Sequence, residues 1–241
     1  MWPQQQGDEL AMRSWVDFWN AEHTIYVNAR HKQLHAGRVS LDIERHIPGP
    51  HAVVLDYGCG EALYAVHIAG LCRQLILCDA APRICEQLAR RLAGTTNVRV
   101  LEPVGVEQLP DGSLDLIIAN SLLQYLTRAD LEALLDLWFA KLKPGGALVI
   151  ADVIPPHVNP LRDAASLLGF ATRGGFLLPA LGGLVKTALS DYSRIRKKLG
   201  FATYREQEMV DLFAAHGLTG QRLRPNFGHN QARMTFRAMR A

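Results

Sequence analysis

Residues 51–151 alternate short apolar runs with stretches of helical spacing, and this alternation constrains the fold more than any other feature. A capping signal at Thr127 and Asp130 predicts the start of a helix that runs to Lys143 and is ended by Pro144-Gly145-Gly146. Uniformly apolar strands that alternate with helices predict a parallel sheet covered on both faces. The predicted strands are 52–55, 75–78, 98–101, 114–119 and 147–151.

The first apolar run ends in a glycine turn, residues 56–60, with the sequence Asp-Tyr-Gly-Cys-Gly. Glycines at such a turn let a ligand approach the backbone where side chains would block it. The second run ends at Asp79, about twenty residues further on, where a carboxylate can accept both ribose hydroxyls of an adenosyl group. Together these features predict a nucleoside-containing cofactor at the carboxyl ends of the strands.

The charges around the turn distinguish between two such cofactors. A dinucleotide site prefers a third glycine, and that position holds Leu63. Asp56 and Glu61 flank the turn, where two carboxylates would repel a pyrophosphate but attract a sulfonium and an amino group. The pattern therefore favours S-adenosylmethionine over NAD.

These residues carry a resemblance to a known family. Residues 53–64 resemble the first motif of class I S-adenosylmethionine-dependent methyltransferases, and segments 109–115 and 142–148 resemble their approaches to strands four and five. The similarity covers roughly residues 50–155 and is greatest to the small-molecule, type 11 branch that includes quinone- and lipid-methylating enzymes. It implies an α/β, Rossmann-like, doubly wound sheet of seven strands, the last antiparallel, with N-terminal helices and a helical lid insertion after strand five.

The resemblance also implies cofactor contacts at individual positions. Many relatives carry an aspartate for the adenine amino group where this chain has Gly105, which leaves the Val106 backbone and Glu107 as the adenine-side candidates. The other implied contacts are Asp56, Gly58 and Gly60 for the methionine part, Asp79 for the ribose and Asn120 beside the sulfonium.

The chain is expected to form one core domain with appendages. Helical patterns over 8–20 and 28–47 precede the core, and the strand–helix alternation stops after Pro156 for about fifty residues, too long for a simple loop. The predicted divisions are an N-terminal helical cover (1–50), the cofactor-binding core (51–155), a helical lid (156–205) and a C-terminal helix with the last two strands (206–241).

Catalytic candidates lie outside the glycine turn. His31 and His35 are four residues apart on one predicted helical face, and the resemblance places such helices over the cofactor, so Tyr26 and His31 are candidates for carboxylate binding or acid–base chemistry. His229 lies between the last two predicted strands and is a candidate base. The alternatives are a structural histidine pair for His31 and His35, and a hairpin turn for residues 226–230. A metal site is not predicted, because the pair has no third ligand nearby.

The composition of the predicted lid, residues 156–205, indicates the chemical class of the acceptor. Residues 164–189 are mostly apolar, which fits a lipophilic acceptor pocket, a transient membrane-surface contact or simply a helical core. The basic run 194–198 fits either an anionic headgroup or a solvated helix face. The predicted partner is therefore a small, lipid-like molecule.

Composition narrows the remaining classes. A net charge of +3, without an aromatic-rich basic stripe, argues against DNA or other nucleic acid as a partner, although basic residues follow Asp211 and leave an RNA methyltransferase as an alternative. An inactive cofactor-binding protein is the other alternative. The four cysteines fit small buried side chains in a reducing compartment, and the N-terminal residues do not resemble a signal peptide, so a cytoplasmic location is expected. Nothing in the sequence predicts an oligomeric state.

Overall fold

The computed structural model describes Asp17, Asn20 and residues 26–157, 160–188 and 200–240. In this part of the chain seven strands form one sheet. The strands are β1 (Val53–Tyr57), β2 (Gln74–Cys78), β3 (Val98–Leu101), β4 (Leu114–Asn120), β5 (Leu142–Val153), β6 (Leu218–Leu223) and β7 (Met234–Arg240). The helices are α1 (Ala29–Glu44), α2 (Ala65–Ala69), α3 (Pro82–Arg91), α4 (Pro103–Glu107), α5 (Arg128–Lys141), α6 (Pro160–Gly174), α7 (Leu177–Ala188) and α8 (Glu206–Ala215).

The strand order is β3-β2-β1-β4-β5-β7-β6. Strands β1 to β5 pair in parallel, whereas β7 lies antiparallel between β5 and β6. The chain crosses from β3 back to the far side of β1, so the order reverses between β1 and β4. Ligands of open α/β sheets bind outside the carboxyl ends of the strands at such a reversal. The fold therefore places the glycine turn after β1 at the expected crevice.

Two hydrophobic cores cover the two faces of the sheet. Along β4, Ile117 and Ala119 pack in one core and Leu116 and Ile118 in the other, as the two-residue period of a strand requires. The first core contains Trp138, which is fully buried on α5. The second core includes residues of α1, α2 and α3. Because both faces are covered, the strands read as continuous apolar runs.

The predicted boundary between α5 and β5 was wrong. The capping box of Thr127 and Asp130 is present, but the helix ends at Lys141 and the strand begins at once with Leu142. The Pro-Gly-Gly segment lies within β5, and pairing with β4 shifts register between Leu114 and Leu116. A Cβ at Gly146 would lie 2.9 Å from the carbonyl oxygen of Lys143, so glycine permits this close approach.

The segment after β5 contains α6 and α7, which pack against each other, and α6 also contacts α1. The predicted first helix, 8–20, falls almost wholly outside the described residues, and so does the basic run 194–198. Within the described ranges, no helix combines the length and apolarity needed to cross a bilayer. The short helix α4 was not predicted, because five residues are too few to show a helical period.

Candidate functional site

The glycine turn after β1 adopts a backbone that favours glycine at two positions. Gly58 has φ +74° and Gly60 has φ +55°, both in the left-handed region. The backbone N–H groups of Gly58 and Cys59 both donate to the carbonyl oxygen of Cys78, at 2.8 and 3.0 Å, and bind the turn to β2. A Cβ added at Gly60 would meet no atom within 4 Å, so the backbone there faces open space.

Asp79 is held against this turn from the end of β2. Its Oδ2 accepts a hydrogen bond from the backbone N–H of Gly60 at 2.9 Å, and its Oδ1 accepts one from the N–H of Ala81 at 2.9 Å. Burial raises the pKa of Asp79, while these backbone donors act in the opposite direction. The carboxylate is thus fixed in position, and the remaining lone pairs of its oxygens are available to ligand hydroxyls.

Asp56, the last but one residue of β1, is the second carboxylate of the site. Burial, and then the nearby carboxylate of Asp79, raise the pKa of Asp56 to about 7. Two desolvated acids in one cavity carry unfavourable energy in their ionised forms, and a bound cation relieves it. The electrostatics at the end of β1 therefore suit a positively charged ligand.

Glu61 has a different role from the one that the sequence indicated. Instead of remaining free beside Asp56, it forms an ion pair with Lys32 of α1. Lys32 also lies 6.0 Å from the ring centroid of Tyr26. The pair joins α1 to the glycine turn and offsets the charge of Glu61, so Asp56 and Asp79 carry the negative character of the site.

A cavity of about 830 Å³ opens at the carboxyl ends of β1 and β4. This volume falls in the upper range for small-molecule sites, about 300–1,000 Å³. Asn120 lines it from the end of β4, and Gln124 and Tyr125 line it from the following 3₁₀ turn. The structure brings eight sequence-predicted residues to this cavity: Tyr26, His31, Asp56, Gly58, Gly60, Asp79, Asn120 and His229.

Two predicted residues do not reach the cavity. Val106 and Glu107 are both on α4; Val106 is fully buried in the core, and Glu107 does not line the cavity, whereas Pro103 of the same helix does. A Cβ at Gly105 would approach a side-chain carbon of Leu101 to 3.2 Å. The adenine-side assignment of Val106 and Glu107 stays a prediction without geometric support.

Three histidines meet under α6 and α7. The ring centroids of His31, His35 and His229 lie 5.6–6.3 Å apart. His31 stacks on Phe176 at 5.1 Å, and His229 stacks on Phe170 at 4.6 Å. No group of three or more potential ligands in the described ranges has an arrangement that could hold a metal ion.

These imidazoles are neutral at pH 7. Burial, and then His229, lower the pKa of His31 to about 4, and the same two causes, with His31 in addition, lower that of His35 to about 4. Burial also lowers the pKa of His229. The Nδ1 atom of His31 accepts a hydrogen bond from the N–H of Val27 at 3.3 Å, which leaves the proton of its ring on Nε2. His31 therefore presents a hydrogen-bond donor.

Two polar residues at the ends of adjacent strands were not predicted from the sequence to be site residues. Ser121 follows β4 with φ +55°, and Asp152 lies near the end of β5 with φ +62°. The Ser121 hydroxyl donates to Oδ2 of Asp152 at 2.8 Å, and both residues line the cavity. Left-handed backbone at residues other than glycine is uncommon and occurs often at functional sites. The rule that ligands bind at strand ends identifies both positions once the strand boundaries are known.

Comparison with known proteins locates a family domain over the same region. The model of a methyltransferase domain family matches residues 54–146, which include the glycine turn, Asp79 and Asn120. The chain is 31% identical over 117 residues to a tRNA U34 carboxymethyltransferase of Shewanella baltica, covering 46% of this chain and 35% of that protein. It is 28% identical over 110 residues to a carboxy-S-adenosyl-L-methionine synthase of Salmonella paratyphi B, covering 43% and 44%. The chain thus matches less than half the length of each of these relatives.

Solved structures extend the fold comparison to nearly the whole chain. Geranyl diphosphate C-methyltransferase of Streptomyces coelicolor A3(2), solved with Mg²⁺, geranyl diphosphate and S-adenosyl-L-homocysteine, is similar with a TM-score of 0.59 and 16% identity, over 96% of this chain and 98% of that one. At this identity the similarity establishes the fold. The predicted seven-stranded sheet with an antiparallel last strand is confirmed, and the methyltransferase domain model covers the part of it that holds the glycine turn.

Proposed function

We propose that this chain, which matches a methyltransferase domain model over residues 54–146, transfers the methyl group of S-adenosylmethionine to a small, lipophilic acceptor. The main support for the proposal is one cavity that contains both the glycine turn with Asp56 and Asp79 and a region lined by His31, His35 and His229. We call the histidine-lined region the chamber. The region at the glycine turn suits a sulfonium cofactor, and the chamber suits an uncharged, apolar molecule.

The residues at the glycine turn fit S-adenosylmethionine on three counts. The open backbone at Gly60 leaves room for a ligand, the carboxylate of Asp79 is positioned for ribose hydroxyls, and the raised pKa of Asp56 marks an acid that a cation would stabilise. When bound, the cofactor supplies an electrophilic methyl group on a positively charged sulfur. No pyrophosphate is favoured here, because both carboxylates would repel it.

The chain's own contribution to methyl transfer is alignment and exclusion of water. Methyl transfer requires the nucleophile, the methyl carbon and the leaving sulfur to lie in line, so positioning accounts for much of the rate. Asn120 at the end of β4 lines the cavity, and the Lys32–Glu61 ion pair joins α1 to the glycine turn. A dry cavity also strengthens the electrostatic contacts made inside it.

The chamber supports a lipophilic acceptor. Its histidines His229 and His31 stack on Phe170 and Phe176. Because the histidines are neutral and buried, a charged acceptor would have to lose its hydration without a compensating ion pair. An uncharged, apolar molecule enters at the lowest desolvation cost.

The basic C-terminal strands offer little support for the RNA alternative. Arg222 pairs with Glu206 at 2.7 Å, and Arg233 pairs with Asp163 at 2.9 Å. The guanidinium of Arg240 donates to three backbone carbonyl oxygens and lies 4.5 Å from the ring of Phe139. These cations are used within the fold, so they are poorly placed to neutralise phosphates.

We extend the proposal to a transient contact between α7 and a membrane surface. Leu178 is 80% exposed, and Leu177 and Leu181 on the same helix are also exposed. Such a patch beside the chamber would let a lipid-like acceptor pass between bilayer and cavity. Co-flotation with anionic vesicles that is lost in Leu178→Asp supports this contact, and flotation unchanged by that substitution contradicts it. A cytoplasmic location rests on the sequence alone and stays a prediction.

A labelling experiment tests the acceptor class. The chain is incubated with methyl-tritiated S-adenosylmethionine and a bacterial extract that contains both lipids and RNA, and product label is then separated by organic extraction and by acid precipitation. Label in the organic phase supports a lipophilic acceptor. Label confined to acid-precipitable, ribonuclease-sensitive material would move the assignment to RNA. Asp136→Asn, which exchanges a carboxylate that is 71% exposed and pairs with His216, serves as a control and should label normally.

A further inference from the structure

Asp152 occupies an unusual place at the acceptor side of the cavity. It lies near the end of β5 in the left-handed region, φ +62°, next to Ser121, which is also left-handed at the end of β4. The two strand ends are joined by the hydrogen bond from the Ser121 N–H to the carbonyl oxygen of Ala151, at 3.1 Å. Strained backbone at both positions turns two polar side chains toward the cavity.

The surroundings of Asp152 hold its carboxylate in place. Ser121 donates to Oδ2 at 2.8 Å, and the backbone N–H of Asp152 donates to Oδ1 of Asn226 at 3.3 Å. Burial raises the pKa of Asp152, with Asp163 acting in the same direction, while Ser121, Arg233 and Asn226 lower it. A carboxylate that is less solvated than usual is a stronger proton acceptor.

Asp152 also connects two cavities. It lines the main cavity and a side cavity of about 140 Å³ shared with His35, His229 and Arg233. None of the predicted cofactor contacts accounts for a carboxylate at this junction. The neighbouring His31 uses Nδ1 on the backbone of Val27, and the pKa of Tyr26 is raised to about 12 by burial and by Glu61 and Asp152. Both are therefore poor proton acceptors.

We propose that Asp152 is the catalytic base of the acceptor chamber and that its carboxylate accepts the proton of an uncharged acceptor bearing a hydroxyl group, such as a lipophilic phenol. This assignment rests on the proposed methyltransferase function and narrows it to transfer to oxygen. The Ser121 hydroxyl donates to Oδ2 of this carboxylate and fixes its orientation. Ser121 is then a positioning residue, because it acts through Asp152.

The proposed step balances in atoms and charge. The acceptor O–H bond breaks and its proton passes to Asp152, while a lone pair of that oxygen forms the new bond to the methyl carbon. The electron pair of the broken carbon–sulfur bond stays on sulfur, which loses its positive charge. Asp152 becomes a neutral carboxylic acid and returns its proton to water when the products leave.

Binding of two matched probes tests the assignment without turnover. The ligands are 1-naphthol and 1-methoxynaphthalene, which share a ring system but differ in the O–H group, and they are titrated by fluorescence in saturating S-adenosylhomocysteine. Wild type is expected to prefer the naphthol by roughly tenfold or more, as one hydrogen bond to a charged group provides. Asp152→Asn keeps the shape and tolerates the left-handed backbone, and Asp152→Gly removes the side chain without straining it.

Both variants are expected to bind 1-methoxynaphthalene and S-adenosylhomocysteine within about twofold of wild type. The preference for naphthol should fall to about threefold or less in Asp152→Asn and vanish in Asp152→Gly. A preference that persists in Asp152→Gly, or that is missing from wild type, would overturn the proposal. Loss of both probes from Asp152→Asn would also overturn it, since Asp152 would then only support the cavity wall. Failure of wild type to bind S-adenosylhomocysteine would instead refute the proposed function itself.

Discussion

Oδ2 of Asp79 accepts a hydrogen bond of 2.9 Å from the backbone N–H of Gly60, a residue 19 positions earlier in the chain. The bond joins the end of β2 to the glycine turn after β1. It fixes the carboxylate at the position where a ribose would lie and holds the turn in its left-handed conformation. The cofactor end of the cavity is therefore organised by the protein before any ligand binds.

A substitution at Gly60 can distinguish blocked access of the cofactor from the effect of backbone strain. Gly60→Ala is expected to reduce affinity for S-adenosylmethionine by at least tenfold, because its Cβ would enter the open space at the turn. Gly112→Ala is the matched control: Gly112 has φ +61° and also has no atom near its Cβ position, but it does not line the cavity. Both variants should lose about 1 kcal/mol of unfolding free energy.

The two affinities are measured by isothermal titration, and the two stabilities by urea unfolding. Gly112→Ala should bind the cofactor like wild type. Equal affinity in Gly60→Ala and Gly112→Ala would show that the backbone at Gly60 does not contact the cofactor.

The pKa of Asp56, raised to about 7, predicts a pH-dependent cofactor affinity. A sulfonium cation favours the ionised carboxylate, so affinity should rise by up to about tenfold between pH 6 and pH 8. Asp56→Asn should bind more weakly at pH 8 and lose most of this dependence, as measured by titration at each pH. A dependence that survives in Asp56→Asn would assign the titration to another group.

The same shift affects the stability of the ligand-free protein. An unfolded aspartate titrates near 3.8, so the folded state binds more protons between about pH 4 and pH 7. The contribution of Asp56 to folding is therefore largest below this range and is lost as the pH rises through about 7. The difference in unfolding free energy between wild type and Asp56→Asn should change in that direction.

The histidines of the chamber predict the opposite dependence of stability on pH. With pKa values near 4, His31 and His35 should keep the ¹⁵N shifts of neutral imidazoles down to about pH 5 in long-range ¹H–¹⁵N spectra. Because unfolded histidine is protonated below 6.5, these two residues reduce stability as the pH falls from 6.5 toward 4. Titration of either imidazole near 6.5 would mean that the chamber is open to water.

Most of the fold follows from local sequence. The apolar runs, the glycine turn and Asp79 establish β1, β2 and the cofactor crevice, because periodicity and turn chemistry act over short distances. The start of β5 was misplaced for a physical reason: Pro144 and two glycines ordinarily end an element, but here β5 starts earlier because Gly146 lets its backbone approach the carbonyl oxygen of Lys143.

The acceptor side was less predictable. His31 and His229 are separated by most of the chain, and their rings lie 6.1 Å apart because the loop between β6 and β7 packs on α1, where the N–H of Gly228 donates to Oδ2 of Asp42 at 2.9 Å. Asp152 is identified as a site residue by its left-handed backbone and its hydrogen bond with Ser121. Neither property has a pattern in the sequence. Long-range packing, rather than local propensity, builds this half of the cavity.

Binding of S-adenosylmethionine at the glycine turn underlies every proposal above. Isothermal titration of the full chain with S-adenosylmethionine, and separately with NAD⁺, measures it at pH 8, where Asp56 is ionised. We expect one saturable site for S-adenosylmethionine and no measurable binding of NAD⁺. Absence of S-adenosylmethionine binding, or tighter binding of NAD⁺, would show that the turn is not a sulfonium site.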